Sequence, residues 1–416
     1  MAKPSGARCN LDCAYCFYLS KEALYPGSRF QMDAATLQAY LRQVIDAHAP
    51  GPALLTWQGG EPTLSGLDFF RQAVAMAEQL RHPGQLVQHA IQTNGLLLDD
   101  EWCAFFKEHG FLVGLSLDGL PALHDAYRVD RGGVGTQARA VRAARLLQKH
   151  AVAFNLLCCV HAANQDHPLP VYRYLRDEIG AAFIQFIPVV ERAAASSGPP
   201  VSPRSVSAAS WGSFLCAVFD EWVRRDIGRV FVQQFDAALG AWLGAPAGLC
   251  IFSETCGRAL ALEHNGDVYA CDHFVEPGYR LGNLRQSPLV ELVDSPAQRR
   301  FGQAKRDTLP ACCRACEVLF ACHGECPRNR FIAAPDGEPG LNYLCAGYRA
   351  FFNHVDRPLR LMAELARRGR APAEAMHLLA LERMQAAAAQ PPAQLAPTRP
   401  SAQNRRKSPR SARQGR

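Results

Sequence analysis

Cys9, Cys13 and Cys16 stand close together in the run ARCNLDCAYCFYL (7–19). Their spacing, C-x3-C-x2-C, supplies an odd number of thiols, whereas a disulfide uses two and a closed structural zinc site uses four. Three thiolates can hold three corners of a cubane iron–sulfur cluster. The fourth iron is then free to chelate a small molecule, which a four-thiolate site does not allow. The competing readings are a zinc site completed by a distant ligand, or simply buried thiols. The aromatic residue Tyr15, just before the last cysteine, favours the cluster.

A second group lies downstream: Cys250, Cys256, Cys271, Cys312, Cys313, Cys316, Cys322, Cys326 and Cys345. Its core, CRACEVLFACHGEC (313–326), reads C-x2-C-x5-C-x3-C. Eight thiolates saturate two four-coordinate sites. Cys312 is the surplus one, because Cys313 supplies the x2 spacing to Cys316. On spacing alone zinc and iron–sulfur are equal competitors, since C-x2-C is also a zinc-knuckle element. Cys103, Cys158, Cys159 and Cys216 fall in predicted helices or strands and read as small core residues.

Elements that position these thiols follow from periodicity. Five apolar, β-branched runs, 53–60, 88–95, 111–119, 154–161 and 183–190, alternate with amphipathic stretches at 68–81, 99–109, 136–150 and 170–179. Strands separated by single helices predict a parallel sheet with βα crossovers, an open or partial α/β barrel. Its ligand loops would follow the strands' C-terminal ends. A Pro/Ser-rich linker (192–209) and a helix (208–225) come next. Residues 246–347 are loop-rich and cysteine-rich and need a staple to fold, and a helical stretch covers 348–388.

The 416-residue chain has a net charge of +7. Arg399, Arg405, Arg406, Lys407, Arg410, Arg413 and Arg416 account for it, in a Pro/Ser/Gln-rich tail (389–416) without acids. The rest of the chain is near neutral, so no nucleic-acid partner is expected, and the tail reads as disordered. Neither an apolar run long enough to span a membrane nor a leader-like start is found. The expected location is the cytoplasm, where many reduced cysteines imply metal ligation.

CNLDCAYCFY resembles the signature of radical S-adenosylmethionine (SAM) enzymes, whose three cysteines hold a [4Fe-4S] cluster with SAM on the fourth iron. By that resemblance GGEP (Gly59, Gly60, Glu61, Pro62) meets the SAM amino group, SLDG (Ser116 to Gly119, including Asp118) meets the carboxylate and ribose, and Arg128 meets the carboxylate. QTNG (92–95) and Val190 would lie near the cofactor pocket, and Tyr15 beside the adenine. The downstream pattern resembles the SPASM extension with two auxiliary [4Fe-4S] clusters. The resemblance assigns Cys250, Cys256, Cys271 and Cys326 to the first, and Cys313, Cys316, Cys322 and Cys345 to the second.

KPSGARCNLDCAYCFYL and YACDHFVEPGYRLGN (269–283) resemble the anaerobic sulfatase-maturating enzymes, and the likeness runs to about residue 360. It implies oxidation of a Cys or Ser in a Cys/Ser-x-Pro-x-Arg motif to Cα-formylglycine. An unfolded or nascent sulfatase would be the substrate and a flavodoxin or ferredoxin the electron donor. Asp272 matches the proposed general base, while His273 reads as a supporting neighbour rather than a catalyst. The alternatives are another SPASM peptide maturase forming thioether or carbon–carbon crosslinks, or a zinc-stapled binding protein.

The expected organisation is a partial (β/α)6-type barrel (1–191), a linker and bridging helix (192–245), a SPASM domain (246–347), a helical segment (348–388) and the tail. One departure is expected: with Cys9 so near the start, the barrel's first strand is missing from the count.

Overall fold

A computed structural model of the chain describes residues 1–193 and 200–388. The basic tail and six residues of the linker lie outside these.

All five anticipated strands form. With the elements around them they are β1 (Ala2–Lys3), β2 (Ala53–Trp57), β3 (Val87–Thr93), β4 (Leu112–Ser116), β5 (Phe154–Val160), β6 (Phe183–Pro188) and β7 (Phe231–Val232). The sheet continues into β8 (Ala261–Glu263), β9 (Asp267–Tyr269) and β10 (Arg280–Asn283). The spatial order is β10-β9-β8-β1-β2-β3-β4-β5-β6-β7, parallel from β8 through β7, with β8-β9-β10 an antiparallel meander. A separate antiparallel pair joins β11 (Arg330–Ala333) to β12 (Pro339–Asn342).

One expectation is corrected here. The first barrel strand is not missing: β1 is a two-residue strand inserted between β2 and β8, with Ala2 paired to both Trp57 and Leu262. It is too short for periodicity to reveal it. Through β8 the cysteine-rich region also extends the barrel sheet.

The helices cover the sheet because its alternate residues are apolar. Ala53, Leu55 and Trp57 of β2 are fully buried while Leu54 on the other face is exposed. The Trp57 ring packs edge-on against Tyr40 (5.4 Å) of the helix Ala34–His48 and Phe70 (5.6 Å) of the helix Leu67–Leu80. Each such pair adds about 0.5–1.5 kcal/mol beyond its buried area. Side-chain caps fix three helix starts: Asp33 accepts from Thr36 N, Asp99 from Trp102 N and Ser207 from Ser210 N.

The predicted helix at 208–225 forms as Ala208–Arg225. It crosses the long helix Cys345–Arg367, which starts three residues earlier than anticipated, on a cysteine. Two glycines make the crossing possible. A Cβ on Gly347 would lie 2.2 Å from the Ala208 carbonyl oxygen, and one on Gly212 would lie 2.8 Å from Gly347 Cα. Alanine normally gains about 1 kcal/mol over glycine inside a helix, but overpacking here costs about 1–3 kcal/mol. Gly347→Ala is therefore expected to lower the urea midpoint, and an unchanged or raised midpoint would contradict the crossing.

Candidate active site

The three-cysteine loop leaves β1 and passes under the end of β2. Gly60 N donates to Gly6 O (2.8 Å) and Glu61 N to Arg8 O (2.9 Å), so the two backbones lie against each other. A Cβ on Gly60 would sit 2.2 Å from Arg8 O, and one on Gly59, at φ +140°, would sit 2.8 Å from Gly6 O. The glycines of GGEP are thus needed by the cysteine loop itself.

The Glu61 carboxylate is buried and accepts from Thr63 N (3.1 Å), Thr63 Oγ1 (2.6 Å), Thr93 Oγ1 (2.7 Å) and Asn94 N (2.8 Å). Burial pushes it above the usual carboxylate range despite these bonds. Asn94, of QTNG, reaches on to Asn10 Oδ1 (2.8 Å) and faces Cys9 Sγ (3.8 Å). The ends of β2 and β3 are thereby tied to the first cysteine.

On the other side the ring of Tyr15 is buried, and its hydroxyl donates to Asp118. Asp118 has no exposed surface. It accepts from Arg128 Nε (2.8 Å) and Nη2 (3.1 Å) and from the backbone N of Cys159 (2.8 Å). Burial alone would push this acid up, but the Arg128 guanidinium and the hydrogen bonds hold it well below the usual carboxylate range. Arg128 also lies over the Tyr15 ring at 5.4 Å. Ser116 accepts from Gln92 Nε2 (3.0 Å) on the inner face of the sheet, and Val190 is half-buried against the core.

His161 enters this cluster without having been singled out, and Cys159 after being read as core. His161 is fully buried, with Nε2 3.7 Å from Asp118 Oδ2 and no hydrogen-bond partner on either ring nitrogen. Cys159 accepts from Arg128 Nη2 (3.5 Å), so it is a neighbour of the site and not plain core filler. Both follow from β5's position: its end meets the loop that begins at Asp118.

Eight of the remaining cysteines fall into two sets. Cys271 and Cys326 lie near each other and near Cys250, and Cys250 lies near Cys256. Cys313, Cys316, Cys322 and Cys345 line one cavity with Glu325 and Tyr348; Cys312 is not on its wall. Among the described residues no three His, Cys, Asp or Glu side chains converge on a single-ion position. All-thiol sets of four fit the donor chemistry of iron–sulfur clusters.

The two halves meet at a buried salt bridge. Lys3, fully buried on β1, donates to Asp272 beside Cys271, with Gln58 Oε1 3.4 Å away. The ammonium lies 4.4 Å from the centroid of the Tyr18 ring, whose hydroxyl donates to buried Glu263. Burial alone would push Asp272 up; the Lys3 charge and hydrogen bond, with His273 and the N-terminus, together outweigh it, so the carboxyl stays below its ordinary value. Lys3, Gln58 and Tyr18 flank motif residues in the sequence (KPSG, QGGEP, CFY), which was the available signal for them.

Comparison with known proteins decides the family. A match to the radical SAM superfamily spans residues 4–175, and one to an iron-sulfur cluster-binding domain (SPASM) spans residues 250–317. A serine-type anaerobic sulfatase-maturating enzyme from Bacteroides thetaiotaomicron is 42% identical over 392 residues, 91% of this chain and 94% of that one. A cysteine-type enzyme from Clostridium perfringens is 32% identical over 358 residues, 85% of this chain and 95% of that one. The solved structure of native anSMEcpe with bound AdoMet and Cp18Cys peptide superposes with a TM-score of 0.79 at 32% identity, covering 87% of this chain and 98% of that one. The chain belongs to the anaerobic sulfatase-maturating enzymes. It is a radical SAM enzyme of sulfatase maturation, built from a partial barrel and an iron–sulfur SPASM domain.

For this sulfatase-maturating enzyme the Asp118–Arg128 pair is the most demanding contact around the cysteine loop. Removing one partner of a buried pair strands the other charge at a cost of about 3–5 kcal/mol, whereas removing both costs less. Asp118→Asn and Arg128→Met are each expected to destabilise by that order. The double variant should lose clearly less than their sum, read as a coupling energy from urea unfolding; simple additivity would overturn the pairing.

Proposed function

We propose that this enzyme oxidises Cβ of a Cys or Ser in a sulfatase Cys/Ser-x-Pro-x-Arg motif to Cα-formylglycine, with Asp272 as the general base. The observation that carries the reading is the placement of Asp272. The family resemblance assigns it the base role, and its salt bridge with Lys3 at the junction of the barrel and the cysteine-rich region supports that reading.

SAM bound at the Cys9–Cys13–Cys16 iron–sulfur group supplies hydrogen-atom abstraction after one-electron reduction. The protein's residues do the rest. Glu61 with the GGEP backbone would receive the SAM ammonium, Arg128 with the Ser116–Asp118 segment its carboxylate and ribose, and Tyr15 and Val190 would bound the pocket. The glycine contacts and the Asp118–Arg128 pair fix these groups before substrate arrives.

Once a hydrogen atom has left Cβ, the substrate must lose one proton and one electron. Asp272 takes the proton from the thiol or hydroxyl. Cys250, Cys256, Cys271 and Cys326 would hold a group able to accept the electron, and Cys313, Cys316, Cys322 and Cys345 would hold a second able to relay it. Serine then gives the aldehyde directly. Cysteine gives a thioaldehyde, which water converts to the aldehyde with release of sulfide. The substrate is an unfolded or nascent sulfatase met in the cytoplasm, and a flavodoxin or ferredoxin supplies the reducing electron.

Anaerobically reconstituted protein should contain about twelve irons, from three cubanes. It should convert a Cys or Ser peptide carrying the motif to the aldehyde, with loss of sulfur from Cys, read by mass spectrometry. Cleavage of SAM with neither a Cys nor a Ser peptide changed would sink the sulfatase reading, and loss of hydrogens alone would indicate a crosslinking maturase. Asp272→Asn should retain 5′-deoxyadenosine formation while formylglycine falls about 100-fold or more, the contribution of a general base. Equal loss of both products would remove Asp272 from that role.

A further inference from the structure

His273 lies between the cysteine-rich region and the three-cysteine loop. Its ring meets Phe17 edge-on at 5.2 Å, and the Arg328 guanidinium lies 5.0 Å from the centroid of the same Phe17 ring. Its Nδ1 is 3.8 Å from Cys326 Sγ. A thiolate bound to iron carries no proton. Toward a ligated Cys326 the imidazole can therefore only donate, from Nδ1–H.

We propose that His273 sets the reduction potential of the iron–sulfur group held by Cys250, Cys256, Cys271 and Cys326, through an Nδ1–H bond to Cys326. Hydrogen bonds to cluster sulfurs stabilise the more negative, reduced state and so raise the potential. In the reaction proposed above this group gains one electron, the substrate carbon loses it, and the accompanying proton goes to Asp272. A higher potential makes the transfer more favourable. The inference takes the cysteine grouping from that reading, but its geometry stands without a sulfatase substrate.

The test is an EPR-monitored redox titration of the anaerobically reconstituted full-length enzyme. The cluster at Cys9, Cys13 and Cys16 is recognised by its response to added SAM. His273→Phe keeps the ring contact with Phe17 but removes the side-chain donor. It is expected to shift one of the other two potentials downward by about a factor of ten in the reduction equilibrium, which is about 59 mV for one electron, with the second unmoved. His273→Asn, whose amide N–H reaches the place of Nδ1, is expected to restore the parent value.

Unchanged potentials in His273→Phe at full iron content would overturn the inference, as would a His273→Asn value as low as that of His273→Phe. Should His273→Phe fail to retain iron, the Asn variant decides alone: a parent potential supports the role and a lowered one refutes it. Absence of formylglycine from parent enzyme showing the expected shifts would count against the proposed reaction, not against His273.

Discussion

A buried ammonium dictates how the two halves of this enzyme meet. Lys3 has no exposed surface, and an ammonium taken out of water without a counter-charge costs far more than a domain's whole stability margin. The counter-charge is Asp272, which belongs to the other half of the chain. Lys3 stands in register with Glu263 across the β1–β8 pairing, and the Tyr18 ring lies between them, cation on its face and Glu263 on its hydroxyl. Two strand residues, an aromatic ring and two acids therefore over-determine one geometry. Sliding β8 by one residue would turn Glu263 to the opposite face of the sheet and strand both Tyr18 and Lys3.

That constraint reaches the cysteines through backbone alone. The loop of Cys9, Cys13 and Cys16 begins directly after Lys3, and its path is fixed by contacts too close for any side chain at Gly60. Glu61 then transmits the position to Thr93 and Asn94, which faces Cys9. Asp118 performs the matching task from β4, gathering Tyr15, Arg128 and Cys159. Each hub is a buried carboxylate with several donors, so the loop is held by directional bonds where an apolar contact would leave it free to shift.

The legible parts of the sequence were those with a period or a spacing. Strands β2 to β6 announce themselves by apolar runs, and the helix Ala208–Arg225 by its amphipathic stripe after Ser207. The cysteine sets were legible as spacings, although Cys250 and Cys256 could be joined to Cys271 and Cys326 only through resemblance. The two-residue strand β1 was not legible, because its pairing with β8 spans some 260 residues and leaves no local signature. The partners of Asp272 and Asp118 were hidden for the same reason. A buried charge is recognisable in sequence as a charge, and its burial becomes visible only when the fold supplies the opposite one.

The separation of chemical duties follows from this architecture. In the proposed reaction hydrogen-atom removal belongs to the barrel side, where the three-cysteine loop, GGEP and Asp118 lie. In the proposed reaction proton removal belongs to Asp272 and electron removal to the set containing Cys271, and these two residues are consecutive. A substrate carbon held between the halves would lose its hydrogen atom toward one wall, then its proton and electron toward the other. Because Asp272 is pinned to Lys3 and Cys271 is bonded to it by a peptide link, the proposed base and the nearest proposed cluster ligand cannot drift apart. The salt bridge that joins the two halves would thus also keep proton and electron acceptors on the same side of the substrate.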